Sequence, residues 1–191
     1  MISLTNTYSL DSTASDEHLA SLAQAEPAAF GELYQRHCER VYRYHLARTG
    51  DADDAQDLTT QTFMAALEGL PGYRGAGSFG AWLFGIARRK LAMHYRGRRS
   101  VLPLEIMPDL ADPAPSPEAS TGKRLQLAQV TQALRRLAPD RAEALLLCLF
   151  ADLTAREAGQ VMGKSEAAVK MLVLRGLRDL RERFALTLQE E

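Results

Sequence analysis

The run Leu153-Thr154-Ala155-Arg156-Glu157-Ala158-Gly159-Gln160-Val161-Met162-Gly163-Lys164-Ser165-Glu166-Ala167-Ala168-Val169-Lys170 constrains the fold more than any other part of this chain. It reads as a short helix, a glycine turn and a second helix. Thr154 with Glu157 three residues on is a capping box, in which hydroxyl and carboxylate satisfy N–H groups that a helix start leaves open. Gly163 accepts a left-handed backbone at little cost, and Ser165 is placed to cap the next helix. There Val169, Leu172, Val173, Leu177, Leu180 and Phe184 form an apolar stripe to be buried, while Lys170, Arg175 and Arg178 remain for solvent or phosphate. Such a pattern predicts a helix-turn-helix whose second helix enters a DNA major groove.

The preceding text is helical too. From Asp16 it carries Leu19, Leu22 and Ala23 up to a break at Pro27, where proline can open the next helix. Phe30, Leu33, Tyr34, His37, Val41, Tyr42, Tyr44, His45 and Leu46 recur at helical spacing until Gly50. Asp51 to Asp54 supply an N-cap and first-turn acids for a helix that stops at Gly69. Pro71 to Ser78 is a glycine-rich loop, and Phe79 to about Arg96 a further helix with Trp82, Leu83, Ile86, Ala87 and Leu91 inward. Leu125 to Leu137 and Arg141 to Phe150 are the last two helices before the capping box. No alternating apolar and polar run is long enough for a strand.

The fold class expected is therefore all-α, two small helical domains joined by a linker. Residues 1–15 read as a loose tail, 16–99 as the first module, 100–122 as the linker and 123–191 as the second module. Pro103, Pro108, Pro113, Pro115 and Pro117 among acids keep the linker from building a helix or core.

Among the 191 residues the formal net charge is −1, which by itself argues against a nucleic-acid binder, but the charges are segregated. Acids gather at Asp51, Asp53, Asp54 and Asp57 and between Asp109 and Glu118; cations gather from Arg88 to Arg99 and from Lys164 to Arg183. Distribution decides the partner, not the sum. Cys38 and Cys148 have no CxxC partner and read as buried free thiols of a reducing cytoplasm. His37 and His45 lack a second ligand pair, so no metal is expected. No apolar run approaches a membrane span, no signal-peptide pattern is present, and a soluble cytoplasmic protein is expected. No acid/base pair, nucleophile or phosphate loop points to catalysis or to a cofactor.

The segment Tyr73-Arg74-Gly75-Ala76-Gly77-Ser78-Phe79-Gly80-Ala81-Trp82-Leu83-Phe84-Gly85-Ile86-Ala87-Arg88-Arg89-Lys90 sharpens the reading. Aromatics beside a glycine-rich loop, followed by an arginine-studded helix, suit separated DNA strands: rings stack on unpaired bases and arginines track the backbone. Taken alone, Trp82 and Phe84 fit a core better than a stacking platform.

In this order and spacing the chain resembles the bacterial sigma-70 family, in its small two-module extracytoplasmic-function branch. Phe30-Gly31-Glu32-Leu33-Tyr34 opens the similarity. Asp54-Ala55-Gln56-Asp57-Leu58-Thr59-Thr60-Gln61-Thr62-Phe63 resembles the helix that docks on the clamp helices of the largest RNA polymerase subunit. That resemblance implies core-polymerase contacts from Asp54, Asp57, Leu58, Gln61, Thr62 and Phe63, with Phe63 an apolar anchor. Tyr73, Arg74, Ser78, Phe79, Trp82, Arg88, Arg89 and Arg96 are implied to capture the −10 element, with the loop Pro71 to Ser78 holding a flipped base. The helix-turn-helix is implied to read the −35 element through Ser165, Glu166, Ala168, Lys170, Met171, Leu174 and Arg175, beside the flap of the second-largest subunit. The implied partners are core polymerase, promoter DNA and, as is common in the family, an anti-sigma factor. Gln56 and Gln61 stand where the family usually has glutamates, Met93 where aspartate is common, and Met171, Leu172 and Leu174 where polar residues are usual. Two other readings account for part of the chain: a stand-alone helix-turn-helix regulator, and a non-DNA interaction module that keeps this fold to sequester a regulator.

Overall fold

A computed structural model describes residues 14–75, 77–101 and 132–187; the expected tail up to residue 13 and nearly all of the expected linker lie outside the described residues. Every regular element among the described residues is helical. Helix α1, Asp16–Leu22, starts where the Ser15 hydroxyl accepts the His18 N–H. Asp16 then ties α1 to the next helix through Arg36 at 3.0 Å and His37 at 2.6 Å. Helix α2, Pro27–Thr49, has proline in its first turn, where a missing N–H costs nothing, and ends at Gly50 with φ 71°. Helix α3, Ala52–Gly69, is capped by the Asp51 carboxylate, which accepts the Asp54 N–H at 2.9 Å. A tight turn over Leu70–Gly72 leads through the loop to α4, Phe79–Val101. The sequence expectation ended α4 near Arg96; helical geometry continues five residues further.

In the second module residues 132–135 are helical. Helix α5, Pro139–Leu145, runs directly into a wider π-type turn, Leu146–Phe150, where the expectation was one regular helix from Arg141. The Ala151 N–H reaches back five residues to the Leu146 carbonyl at 3.1 Å, which closes that turn. Helix α6, Ala155–Met162, and helix α7, Glu166–Thr187, are the last of the described elements. Leu33, Tyr44, Leu58, Phe79, Leu83 and Phe84 form the heart of the first module, and Leu145, Leu146, Leu147, Ala158 and Val169 that of the second; all are buried. Burial of roughly 1.5–3 kcal/mol of transfer free energy per such side chain holds each module together.

Candidate nucleic-acid interface

The helix-turn-helix forms as its caps require. The Thr154 hydroxyl accepts the Glu157 N–H and the Glu157 carboxylate accepts the Thr154 N–H at 2.8 Å, so the capping box is complete. Gly163 adopts φ 67°, and Ser165 Oγ accepts the Ala168 N–H at 3.2 Å. Close approach explains Gly159: a Cβ there would meet the Lys164 carbonyl oxygen at 2.6 Å. Gly176 plays the same part where α7 crosses α5, with Leu145 at 2.7 Å from any Cβ.

Val169 is buried while Leu172, Val173, Leu177 and Leu180 pack half-buried, which leaves the opposite face of α7 free. Ser165, Glu166, Lys170, Met171, Leu174 and Arg175 all lie on that exposed surface, and Ala168 is half-buried. Lys170 bonds Glu166 one turn back at 2.6 Å. Both side chains are half-exposed or more, so this pair holds the ammonium only weakly.

The expected −10 residues divide into three groups. Tyr73 and Phe79 are buried at 8% and 0% exposure, so their rings are not offered to a base. They pack with Trp82 in a cluster of ring centroids 5.1–5.8 Å apart and give the loop its floor. Arg74 is exposed on the loop, whose Gly75 and Gly77 take φ 68° and 111°. The second group lines one stripe of α4: Trp82, half-buried, then Arg89 and Arg96, exposed. Trp82, Ile86, Arg89, Lys90 and Met93 face Ala65 and Gly69 of α3 and Gly72 across an open groove of about 380 Å³. Its apolar floor and cationic rim can take a base and its phosphate together. Lys90, Ile86 and Met93 were not among the residues expected to contact the −10 element. The signal the sequence carried was Met93, which stands where aspartate is common in the family and which the structure leaves 58% exposed.

The third group, Arg88 and Ser78, faces the second module. Arg88 Nη1 donates to the Val161 carbonyl at 3.3 Å, and its Nε lies 3.8 Å from Glu143. Ser78 lies beside the Glu157 carboxylate. Burial opposes ionisation of Glu157, but hydrogen bonds from Ser78 and Thr154 hold its carboxyl below the ordinary value. Glu143, 6% exposed, accepts the Tyr44 hydroxyl proton at 2.7 Å with Arg48 at 3.6 Å, and Arg40 pairs with Asp152 at 3.0 Å. The Tyr44 hydroxyl is pushed well above its usual pKa, first by burial and then by the neighbouring Glu143 charge. These contacts between modules had no signature in the sequence.

The expected docking helix α3 needs the largest correction. Leu58, Thr62 and Phe63 are buried at 1%, 0% and 4% exposure, so they anchor α3 to its own module. Phe63 packs edge-on against Phe30 and Tyr34 at 6.4 and 4.7 Å, and the Thr62 hydroxyl donates to the Leu58 carbonyl. Asp54 is held by Arg98 at 2.7 Å and His94 at 3.4 Å. The side chains left to solvent include Asp53, Gln56, Asp57, Thr60, Gln61, Met64, Leu67 and Glu68, of which only Asp57 and Gln61 were anticipated. Met64 and Leu67, 58% and 50% exposed, are the apolar side chains this helix presents. No helix among the described residues is long and apolar enough to cross a membrane.

The chain matches two family models, sigma-70 region 2 over residues 33–101 and sigma-70 region 4 over residues 127–180. The ECF RNA polymerase sigma factor BldN of Streptomyces coelicolor is 40% identical over 85% of this chain and 63% of its own length. The chain thus spans less than two thirds of that relative. The ECF RNA polymerase sigma factor SigF of Caulobacter vibrioides is 36% identical over 76% of this chain and 79% of its own length. A solved structure of CnrH in complex with the cytosolic domain of CnrY superposes with a TM-score of 0.69 at 26% identity, covering 91% of this chain and 99% of that one.

Proposed function

The chain belongs to the sigma-70 family, in its extracytoplasmic-function branch, and from that membership we propose that it is a promoter-specificity subunit of RNA polymerase. Residues 16–99 dock on core enzyme and capture the −10 strand, and 123–191 read the −35 element across the linker 100–122. Sigma factors generally carry no chemistry of their own, and this one acts by binding in the cytoplasm.

Core polymerase meets the exposed face of α3. That helix has four carboxylates and no cation, with Met64 and Leu67 as apolar contacts. The groove of Trp82, Arg89, Lys90 and Met93 receives an unpaired −10 base, whose departure from the stack costs a few kcal/mol. Arg89 and Arg96 neutralise its phosphates, and Arg74 flanks the loop. At −35 the N-terminal half of α7 enters the major groove. Lys170 and Arg175 contact phosphate or base edges there, and Met171 and Leu174 offer apolar contact to thymine methyl groups. Near-neutral net charge keeps free binding to DNA weak, and polymerase raises it by fixing both modules at once.

The observation that carries this reading is the coexistence, in family order, of two modules that each present an exposed cation-bearing helix face. The test is run-off transcription with purified core polymerase. Addition of the full chain is expected to create new start sites, and an unchanged transcript pattern overturns the reading. The solved relative CnrH is in complex with the cytosolic domain of CnrY. By analogy Met171 and Leu174, 47% and 58% exposed, suit an apolar helix of an anti-sigma partner. Co-purification from native cells tests this, and loss of an existing partner on Met171→Lys is the expected result.

A further inference from the structure

We propose that Glu17 and Gln24, on and just beyond α1, are positioning residues for the −10 surface: they clamp the two ends of the loop between Tyr73 and Phe79 and hold it ready for an unpaired strand. This rests on the function proposed above. The loop carries Gly75 and Gly77 at φ 68° and 111°, and glycines lose more freedom on ordering than other residues. Its middle is tied by the Gly77 N–H, which donates to the Gly75 carbonyl at 2.9 Å, and by the Tyr73 hydroxyl, which donates to the Gly77 carbonyl at 3.1 Å. Burial first, then the charges of Glu17 and Asp16, raise the Tyr73 pKa and keep that hydroxyl a donor.

The ends of the loop are tied from outside. At one end the Glu17 carboxylate accepts the Phe79 N–H at 3.2 Å, across 62 positions of sequence. That N–H is among those the start of α4 leaves without an intrahelical partner, and Ser78 Oγ takes another by accepting the Ala81 N–H at 3.2 Å. A carboxylate there also meets the positive end of the α4 dipole. At the other end the Gln24 side-chain amide donates to the Tyr73 carbonyl at 3.2 Å, across 49 positions. Seven positions separate Glu17 from Gln24, about 10 Å along a helix, so one short element reaches both ends.

The clamp has a firm base. Leu19, Ala20 and Ala23 are buried, and Asp16 pairs with Arg36 and His37 of α2. The His37 ring in turn lies 5.5 Å from Phe79, the residue whose N–H Glu17 takes. Glu17 and Gln24 are themselves exposed, so replacing them removes no core packing. What they fix is the course of the backbone on either side of Arg74, and the start of the helix that carries Trp82 and Arg89. A loop ordered before the strand arrives does not lose that freedom on binding, and its affinity for the strand is higher by that amount. Neither side chain touches DNA in this scheme; both act through the loop.

The experiment loads core polymerase with the full-length chain as wild type, Glu17→Ala, Gln24→Ala or the double variant. The probe is a fluorescein-labelled single strand of about twelve nucleotides, copied from the non-template −10 region of a promoter mapped with the wild-type holoenzyme. Each single substitution is expected to weaken its binding about fivefold and the pair about twentyfold, the scale of one lost cap or hydrogen bond each. Affinity for core polymerase and for a duplex carrying only the −35 element is expected to stay unchanged. Glu17→Gln, which keeps an oxygen for the Phe79 N–H, is expected to recover most of the loss, whereas Gln24→Glu sets an acceptor against a carbonyl and is expected to recover none. In the free chain, acrylamide quenching of Trp82, whose ring packs on Tyr73 and Phe79 at 5.1 and 5.5 Å, is expected to rise in the double variant. Wild-type strand affinity in both single variants overturns the clamp, as does an equal loss of core and −35 binding, which marks general destabilisation. A wild-type holoenzyme that yields no start site removes the functional reading instead; quenching in the free chain then decides the clamp, and an unchanged value in the double variant overturns it.

Discussion

Acidification from pH 7 to pH 5 is expected to remove about 2 kcal/mol from the stability of the first module, through His45. This side chain is fully buried, with Nε2 3.1 Å from the Thr62 hydroxyl oxygen. Thr62 has one hydroxyl proton and donates it to the Leu58 carbonyl at 2.7 Å. Its oxygen therefore accepts from His45, which carries its proton on Nε2 and leaves Nδ1 buried and unpartnered. A second proton at Nδ1 would find neither water nor an acceptor. Burial first, and the nearby charge of His94 second, lower the pKa from 6.5 to about 3. The unfolded chain takes up that proton below pH 6.5 while the folded chain refuses it. Stability is thus intact above 6.5 and falls as pH drops toward 3, at about 1.4 kcal/mol per unit. The depressed carboxylates Asp16 and Glu157 act lower, because their stabilisation is complete above the unfolded carboxylate range and is lost only below it. Urea unfolding followed by fluorescence of Trp82, the sole tryptophan, reads the first module. His45→Gln keeps an N–H for Thr62 but cannot titrate, and its pH 7 to pH 5 loss should be near zero. Equal losses in wild type and variant, or no loss in wild type, would refute the reasoning.

Three further outcomes follow from the geometry. Thr154→Ala dismantles the capping box and should cost the second module about 1 kcal/mol, read as a lower thermal midpoint, whereas a change confined to DNA binding would contradict the cap assignment. Met64→Ala should weaken binding to core polymerase at unchanged stability, while its neighbour Phe63→Ala should destabilise the module by about 3–5 kcal/mol; fluorescence binding titrations beside denaturation curves separate the two. Lys170→Ala should reduce initiation at promoters that depend on −35, and equal transcription across −35 variants would show that Lys170 contacts nothing there.

Adjacent residues show where reading the chain worked and where it stopped. Thr154, Glu157, Gly163 and Ser165 were legible because capping and left-handed turns are settled within three or four residues by groups the chain itself supplies. Phe63 and Met64 were not distinguished, since both are apolar and only the approach of Phe30 and Tyr34 from α2 makes one core and leaves the other exposed. Arg88 and Arg89 read as one basic run. A step of about 100° around α4 sends the first toward Glu143 and the second to the Trp82 groove. Aromatic character alone likewise marked Tyr73 and Phe79 as candidate stacking rings, when the loop's own packing consumes them.

Helix positions, their caps and the split between acidic and basic stretches follow from the order of residues, because each depends on contacts a few positions along one backbone. Which side of each helix remains for a partner, and that a carboxylate of one module sits against the tyrosine and arginines of the other, depend on groups 99 residues apart in the chain. Those pairings exist only once independent helices have packed, and no periodicity along the chain encodes them.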